Sequence, residues 1–469
     1  RYISVTGVQT CALPILVASG RFLDAYRLIM QENPLPAICG RICTRPCEQK
    51  CRRGTVDEAV AIRDLKRFVA DYAFKHETSN MLQWTAPRNG RRIAIIGAGA
   101  SGLTCGYYLV RLGYDVDIFE AEQIAGGVLA YGIPEYRLPK DVLSHEIDLI
   151  VKAGVKIKYG VEIGRDIDFK TLQDQYDSVY VATGTQYPQK VQIPGEELDG
   201  VIHGIRFLKN VHFQKIKRLT GTVAVIGGGN TAIDSARTAV RLGASRVVIV
   251  YRRTIDAMPA YHEEVVEALE EGIEIMELAA PVKIWGDHRA RVRELEMVRM
   301  ELGAFDASGR RKSVEVKGSR FRLEVTTVIP AVSQYADLPF VGKQEVQRTA
   351  WGTFVIDAET QMTSMPGVFA GGDVARGPDD VIRAIADGKR AAMAMDKYLG
   401  GKGILNKGEP IEIPEIVDSD EIVFHTQFEK EVLVPERRVK SFEEVVKGYH
   451  KINAIAEAMR CLHCDRRAL

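Results

Sequence analysis

Two glycine-rich segments of this sequence have the residue types and spacing of a dinucleotide-binding turn. The first is Gly97-Ala98-Gly99-Ala100-Ser101-Gly102, which directly follows the apolar run 93–96. In such a turn the first glycine permits a tight bend, the second lets the backbone approach a pyrophosphate, and the third lets helix and strand pack closely. The helix that follows offers free N–H groups and a positive dipole end to the phosphates.

An acid stands where the ribose of this dinucleotide would lie. Glu120 ends the next predicted strand, 18 residues after Gly102. A carboxylate at that point can accept hydrogen bonds from ribose hydroxyls. The alternative interpretation is a glycine turn in an unrelated α/β domain. The residues predicted to bind the first dinucleotide are Gly97, Gly99, Ala100, Ser101, Gly102 and Glu120.

The second segment, Gly227-Gly228-Gly229-Asn230-Thr231-Ala232, follows the apolar run 222–226. The end of its next strand carries Tyr251-Arg252-Arg253 in place of an acid. A guanidinium suits a 2′-phosphate, through charge-assisted and often bidentate hydrogen bonds, and this favours NADPH over NADH. The alternative is that both arginines are surface charges, as most arginines are. The predicted NADPH ligands are Gly227, Gly229, Asn230, Thr231, Arg252 and Arg253.

Four of the eight cysteines are spaced by four residues, at Cys39, Cys43, Cys47 and Cys51. Thiolates hold iron–sulfur clusters, whereas zinc sites more often combine CxxC pairs with histidines. We favour an iron–sulfur site, with zinc or structural thiols as the alternatives. Clustered thiols in a chain of this length suit a reducing compartment, so we expect a cytoplasmic protein. Near the end of the sequence, Cys461 and Cys464 form a further candidate ligand pair.

Composition excludes some classes of protein. The formal net charge is +1, which argues against a nucleic-acid binder because these show a basic excess. No apolar run approaches the roughly 18 residues of a membrane span. No CxxC or CxxxxC pair lies near the predicted cofactor segments, which argues against disulfide-reductase chemistry.

The sequence pattern divides the chain by element type. Residues 16–74 show helical periodicity around the cysteines, and 75–89 is a polar linker. Each glycine turn lies in a strand–helix–strand unit, and 282–327 predicts short antiparallel strands. Residues 1–15 have no clear period, and we interpret them as a non-native leader, with an ordinary loop or strand as the alternative.

Six segments together resemble a known family, the small (beta) subunit of glutamate synthase and the NADPH-reducing part of dihydropyrimidine dehydrogenase. The resemblance covers about 16–464, nearly the whole chain. The segments are CGRICTRPCEQKC (39–51), GGVLAYGIPEYRLPK (126–140), VATGT (181–185), GGGNTAID (227–234), YRRT with MPAYHEE (251–264), and GVFAGGDVARGPDDVIRAIADGKRAA (367–392).

The resemblance implies an α/β fold with two dinucleotide-binding, Rossmann-like domains, the NADPH domain being inserted in the FAD domain. A helical, cysteine-rich iron–sulfur domain precedes them. The implied boundaries are 1–15 for the leader, 16–89 for the iron–sulfur domain, 90–210 and 330–400 for the two parts of the FAD domain, 211–329 for the NADPH domain, and 401–469 for a C-terminal extension. We expect this extension to be truncated.

The resemblance also implies further cofactor ligands. Asp373 of the GGD segment would bind the FAD ribityl chain, its alternative being a surface turn acid. Thr183 and Gly184 would lie at the crossover between the domains. The further residues implied to bind cofactor are Gly127, Val128, Arg137 and Gly372. The family's AIGQ-like run is Ala331-Val332-Ser333-Gln334 here, which lacks the glycine. The four cysteines would hold part of two 4Fe–4S clusters, whose upstream cysteine group is missing.

The expected activity is that of an FAD-dependent NAD(P)H oxidoreductase, similar to the glutamate synthase small subunit. It would pass electrons from NADPH through FAD and 4Fe–4S clusters to a catalytic large subunit or another acceptor protein. Alternatives are a ferredoxin:NADP or hydrogenase-linked electron-transfer subunit, and a non-catalytic assembly subunit that keeps the fold. We predict no catalytic side chain, because the redox chemistry belongs to the cofactors.

Overall fold

The computed structural model describes residues 12–76, 86–305, 309–342, 345–405, 410–414 and 424–464. Its helices are α1 (12–18), α2 (Phe22–Met30), α3 (Pro36–Ile42), α4 (Ile62–Lys75), α5 (Ala100–Arg111), α6 (Val128–Tyr131), α7 (Lys140–Lys152), α8 (Phe169–Gln175), α9 (Gly204–His212), α10 (Asn230–Arg241), α11 (His262–Glu270), α12 (Asp373–Arg376), α13 (Val381–Tyr398), α14 (Pro435–Arg438) and α15 (Lys451–Met459).

The strands follow the same chain order. They are β1 (Arg92–Ile96), β2 (Asp115–Glu120), β3 (Lys156–Tyr159), β4 (Ser178–Val181), β5 (Tyr187–Pro188), β6 (Thr222–Ile226), β7 (Arg246–Val250), β8 (Glu274–Met276), β9 (Ala279–Gly286), β10 (Val292–Phe305), β11 (Arg311–Glu315), β12 (Phe321–Glu324), β13 (Thr327–Pro330), β14 (Gln334–Tyr335), β15 (Val368–Ala370), β16 (Glu431–Val432) and β17 (Val446–Gly448).

The N-terminal unit, α1 to α4, is helical because apolar side chains recur at three- and four-residue steps and face inward. Ala25 and Ile29 of α2 and Leu65 and Val69 of α4 are buried in one shared core. The proposed leader falls partly within this unit. Its residues 12–15 belong to α1 and bury apolar side chains in the same core, while residues 1–11 lie outside the described part of the chain.

A five-stranded parallel sheet forms the first domain, in the order β15-β4-β1-β2-β3. Its central strand reads as a continuous apolar run because helices cover both faces of a parallel sheet. Helices α5 and α13 pack closely on each other, since Gly388 leaves room: a Cβ there would lie 2.3 Å from the carbonyl oxygen of Ser101. Strand β15 belongs to this first sheet, although it follows the strands of a second sheet along the chain.

The second domain is a four-stranded parallel sheet in the order β13-β6-β7-β8. It lies between β4 and β15 in the chain, so the structure confirms the predicted α/β fold with one dinucleotide-binding domain inserted in the other. The chain leaves and re-enters the first domain through β5 and β14, which pair antiparallel. The predicted antiparallel strands are β9 to β12, although β10 is 14 residues long rather than short.

The C-terminal residues return to the N-terminal unit. Ala454 and Ala458 of α15 are buried in the same core as α2 and α4. Glu457 of α15 accepts a hydrogen bond from the backbone N–H of Ala61, with an Oε1–N distance of 2.8 Å. Within the described ranges, no helix is both long and apolar enough to cross a membrane.

Candidate functional site

The first glycine turn joins β1 to α5 and is closed by backbone contacts on one side. Gly97 has φ +102°, and a Cβ on it would lie 2.6 Å from the carbonyl oxygen of Ala182. A Cβ on Gly102 would lie 2.0 Å from the carbonyl oxygen of Gly97. A Cβ on Gly99 would have no described atom within 4 Å. The turn is therefore packed behind and open in front, as a pyrophosphate-binding turn must be.

The segment around Gly127 lies directly against this turn. The backbone N–H of Gly126 donates to the carbonyl oxygen of Ala98 at 2.8 Å. Gly127 has φ +54°, and a Cβ on it would lie 3.4 Å from the Cα of Gly99. Val128 begins α6 immediately afterwards. The structure thus brings Gly127 and Val128 to the open side of the turn.

Two more predicted segments complete the same site. The Cα of Thr183 lies 3.2 Å from the position of a Cβ on Gly97, which places the 183–184 segment beside β1. Gly372, with φ +70°, approaches α5 so closely that a Cβ on it would lie 3.1 Å from the Cβ of Ser101. Residues 97–102, 127–128, 183–184 and 372–373, far apart in sequence, are therefore neighbours.

Glu120 holds the first glycine turn through its carboxylate. Its Oε2 accepts from the N–H of Ala98 and its Oε1 from the N–H of Glu122, each at 2.9 Å. Burial raises the pKa of Glu120, although these backbone N–H groups lower it. Each carboxylate oxygen can accept more than one hydrogen bond, so the group can hold the turn and still bind a ribose hydroxyl.

Asp373 begins α12 directly after the Gly371–Gly372 bend. Burial raises the pKa of its carboxyl to about 7. The bend is fixed by Asp387 of α13, whose Oδ2 accepts from the N–H of Gly372 at 3.0 Å. Asp387 is fully buried and also pairs with Arg376 and Arg390. Sequence reasoning missed this residue, because an acid in the middle of a long helix carries no local signature.

The residues of this site fit FAD. Gly99 and Gly127 leave an open cradle that side chains would fill, and Asp373 supplies a carboxylate for sugar hydroxyls. The Oγ1 of Thr183 is buried and has no hydrogen-bond partner among the described residues. A buried hydroxyl without a partner is costly, and a polar ligand would supply one.

The second glycine turn repeats the packing of the first. Gly227 has φ +142°, and a Cβ on it would lie 2.4 Å from the carbonyl oxygen of Ala331. A Cβ on Gly229 would meet no described atom within 4 Å. Helix α10 begins at Asn230, whose Oδ1 accepts from the N–H of Tyr261 at 3.0 Å. Thr231 follows in the first turn of α10, so this turn too is open at the helix N-terminus.

The two predicted 2′-phosphate ligands have different environments. Arg252, just past β7, is exposed, and no described residue forms a hydrogen bond or ion pair with its side chain. Arg253 is 5% exposed, and its Nε donates to the carbonyl oxygen of Arg311 at 2.7 Å. Arg252 is therefore accessible to a phosphate, whereas Arg253 braces the strand end against β11.

Arg137 is engaged by carboxylates of the second domain. Its Nη1 lies 2.9 Å and 2.7 Å from the two carboxylate oxygens of Asp234, and its Nε lies 2.8 Å from Oε1 of Glu264. Burial lowers the pKa of Arg137, but these carboxylates outweigh it and hold the pKa above its ordinary value.

The four clustered cysteines lie in α3 and in the segment that joins α3 to α4. Cys39 and Cys43, within and directly after α3, are buried, while Cys47 and Cys51 are half-buried. Among the described residues, no three His, Cys, Asp or Glu side chains form a group that could hold a metal ion. Burial raises the pKa of Cys39, Cys43 and Cys47.

A buried lysine lies among these thiols. Burial lowers the pKa of Lys66, but Cys39, Cys43 and Cys47 raise it and the net shift is upward. Lys66 would offset the negative charge of thiolates if these cysteines held an iron–sulfur cluster, and thiolates are the ligands of such clusters. The donor chemistry therefore fits such a cluster.

Glu146 of α7 connects the cysteine helix to the first domain and was missed in the sequence. Its Oε1 and Oε2 accept from the N–H groups of Ala37 and Ile38 at 2.6 and 3.0 Å, at the start of α3. The available signal was an acid on the apolar face of α7, beside Leu143 and Ile147.

Comparison with protein families gives two matches. The family described as pyridine nucleotide-disulphide oxidoreductase matches residues 86–388. The family described as dihydropyrimidine dehydrogenase domain II, 4Fe-4S cluster, matches residues 12–78. The first match covers both glycine turns, and the second covers the four clustered cysteines.

Curated relatives align along most of the chain. The NADP(+)-dependent formate dehydrogenase subunit beta of Moorella thermoacetica is 40% identical, over 96% of this chain and 68% of that one. The NADPH-Fe(3+) oxidoreductase subunit beta of Geobacter sulfurreducens is 37% identical, over 96% and 72%. The glutamate synthase (NADPH) small chain of Azospirillum brasilense is 35% identical, over 82% and 83%.

Among solved structures, FprA of Mycobacterium tuberculosis superposes with a TM-score of 0.58 at 20% identity. The match covers 67% of this chain and 85% of FprA. At this identity the likeness shows the fold of the two nucleotide-binding domains.

Proposed function

Since this chain belongs to the pyridine nucleotide-disulphide oxidoreductase family and carries a 4Fe–4S domain of the dihydropyrimidine dehydrogenase type, we propose that it is an electron-input subunit. It takes reducing equivalents from NADPH and delivers them to a partner protein. The observation that carries this proposal is the pair of open glycine turns, one surrounded by three further loops and the other followed by an exposed arginine.

The first turn holds FAD in this proposal. The N-terminus of α5, with Gly97, Gly99, Ala100, Ser101 and Gly102, binds the pyrophosphate. Glu120 binds the adenosine ribose and Asp373, next to Gly372, the ribityl chain. Gly127, Val128, Thr183 and Gly184 would lie near the flavin. When bound, FAD accepts a hydride and releases electrons singly, and the protein supplies position and electrostatics.

The second turn holds NADPH. Gly227, Gly229, Asn230 and Thr231 at the start of α10 receive the pyrophosphate. Arg252 binds the 2′-phosphate, since it is exposed and uncommitted among the described side chains, and Arg253 holds the strand end in place. Hydride transfer from NADPH moves no separate proton, so we assign no side chain as an acid or base to that step.

In this proposal the thiols of Cys39, Cys43, Cys47 and Cys51 would hold iron–sulfur clusters, which would supply single-electron transfer. Lys66 offsets the negative charge of the thiolates. The acceptor is a catalytic large subunit or another electron-acceptor protein, and the beta and small subunits named above as relatives support a partner of this kind. We place the complex in the cytoplasm, where thiols remain reduced.

The test is an anaerobic visible spectrum of the FAD-loaded protein, titrated with NADPH and then with NADH. We expect NADPH to bleach the flavin at a far lower concentration than NADH. Flavin that neither nucleotide reduces would refute the proposal and favour the assembly-subunit alternative. Equal efficiency of the two nucleotides would refute the NADPH preference.

Arg252→Met provides the matched comparison. We expect it to weaken NADPH binding about 10- to 100-fold, the loss of a charge-assisted hydrogen bond, and to leave NADH binding unchanged. Arg246→Met is the control, since Arg246 is an exposed arginine at the opposite end of the same strand, paired with Glu274. Wild-type NADPH affinity in Arg252→Met would contradict the assignment.

A further inference from the structure

Two consecutive residues of the first domain, Tyr136 and Arg137, insert into the second domain. Both are buried: Tyr136 is 1% exposed, and the Arg137 side chain is 10% exposed. They lie between Gly127–Val128, at the first turn, and Lys140, where α7 begins. The segment that lines the first site is thus anchored in the domain that carries the second.

Arg137 binds two helices of the second domain at once. Its Nη1 contacts both oxygens of Asp234, at 2.9 and 2.7 Å, and Asp234 lies one turn into α10. Its Nε contacts Glu264 of α11 at 2.8 Å. A guanidinium is planar with fixed donor directions, so it orients the carboxylates that it pairs with.

Tyr136 makes a second contact with α10. The guanidinium carbons of Arg237 and Arg241 lie 4.9 and 3.9 Å from the centroid of its ring, which is cation–π geometry. Arg237 also pairs with Glu264, Nη1 to Oε2 at 2.6 Å. Glu264 therefore bridges Arg137 and Arg237, and the charges on the two sides of the interface form one network.

A third segment, from the C-terminal part of the chain, covers this contact. The N–H of Val445 donates to the carbonyl oxygen of Tyr136 at 2.9 Å. The Nε of Arg241 donates to the carbonyl oxygen of Ser441 at 3.1 Å. These contacts fix the C-terminal segment beside the interface, where Tyr136, Arg137 and Glu264 also line a cavity of about 380 Å³.

We propose that Tyr136 and Arg137 are positioning residues that fix helix α10, and with it the second glycine turn, relative to the first turn. The inference rests on the proposed function, because the orientation matters when a nicotinamide must meet the flavin. It replaces the expectation that Arg137 binds cofactor: two of its nitrogens are committed to carboxylates. A group that acts on orientation changes the transfer rate, whereas a ligand changes binding.

Arg137→Met separates the two roles in single-turnover stopped-flow measurements on the FAD-loaded protein. We expect flavin reduction at saturating NADPH to slow about 10-fold or more, since a misplacement of about 1 Å can cost about 100-fold. The NADPH Kd and the FAD content should stay within about 3-fold of wild type, and Arg137→Lys should recover part of the rate. Arg246→Met, which breaks an exposed Arg–Glu pair of the same domain, should leave every value unchanged.

Several results would overturn the inference. A raised Kd at an unchanged rate would make Arg137 a nucleotide ligand, and loss of FAD from folded protein would make it a flavin ligand. If neither the NADPH Kd nor the rate of flavin reduction changes, Arg137 has neither role. If Arg137→Met does not fold, Asp234→Asn is measured instead; it leaves the Arg137–Glu264 pair in place and should show the same pattern at smaller size. An unchanged rate in that variant also refutes the inference.

A nucleotide-free measurement distinguishes failure of this inference from failure of the proposed function. In Arg137→Met we expect faster hydrogen–deuterium exchange of the amides in 126–140 and in α10 than in wild type or Arg246→Met. Unchanged exchange would overturn the inference even if NADPH reduces the flavin. If exchange is faster in Arg137→Met but NADPH does not reduce the flavin of the wild-type protein, only the proposed function is refuted.

Discussion

At the scale of single residues, glycines that look alike in sequence have opposite surroundings. In the first turn, Gly102 is in contact with backbone, because a Cβ there would overlap the carbonyl oxygen of Gly97. Gly99 has open space, and its φ of −79° suits any residue. Gly102 is thus required for packing, whereas Gly99 is the glycine that we propose leaves room for a ligand, a difference that the spacing alone does not state.

This difference predicts distinct effects of two alanine substitutions. Gly102→Ala should destabilise the FAD-free protein by about 1–3 kcal/mol or more, the cost of overpacking. Gly99→Ala should change that stability by less than about 0.5 kcal/mol and weaken FAD binding by about tenfold or more, since its methyl group occupies the space of the approaching pyrophosphate. Urea unfolding and flavin titration check both, and equal effects on folding would contradict the prediction.

At the scale of elements, α3 depends on an acid from another domain. A helix N-terminus leaves N–H groups without partners, and Leu35, the residue that precedes α3, caps none of them with its side chain. Glu146 of α7 supplies both acceptors instead. The helix that carries Cys39 is thereby held against the first domain.

Glu146 also predicts a pH dependence. Burial raises its pKa from 4.5 to about 8, so the folded state keeps a proton that the unfolded state releases. The stability that this group contributes is present below about pH 4.5 and is lost as the pH rises to about 8, by up to about 1.4 kcal/mol per pH unit.

Glu146→Gln should therefore flatten the pH dependence of the free energy of unfolding between pH 5 and 8, measured by urea denaturation. Asp148→Asn, an exposed acid on the same helix, should keep the wild-type slope. Equal slopes in Glu146→Gln and wild type would show that the carboxyl is ionised in the folded protein.

At the scale of the whole molecule, the two ends of the described chain form one core. Glu457 of α15 is fully buried and accepts from the N–H groups of Ala61 and Phe428, at 2.8 and 2.9 Å. It also pairs with Arg460 at 2.6 Å. The N-terminal unit therefore depends on residues almost 400 positions later.

Glu457→Ala should lower the free energy of unfolding by about 3–5 kcal/mol, because it leaves buried donors and Arg460 without this partner. Glu431→Ala, which breaks an exposed contact with His450, should cost about 1 kcal/mol or less. Urea unfolding of both variants measures the difference. A loss below about 1 kcal/mol in Glu457→Ala would mean that the C-terminal helix adds little to the core.

The sequence by itself determined the α/β class, the two glycine turns, the inserted domain and the family, and these are confirmed. Each depends on the local spacing of residues or on the order of motifs along the chain. Both can be recognised from the sequence alone. The assignment of individual residues to cofactors stays a prediction.

Only the tertiary structure decided which groups meet. It turned Arg253 inward and left Arg252 exposed, paired Arg137 with Asp234, and brought Asp387 to the N–H of Gly372 and Glu146 to the first turn of α3. Such partners depend on how separate elements pack, and a buried polar group takes whichever partner the packing brings near it. The spacing of residues along the chain does not predict which partner that is.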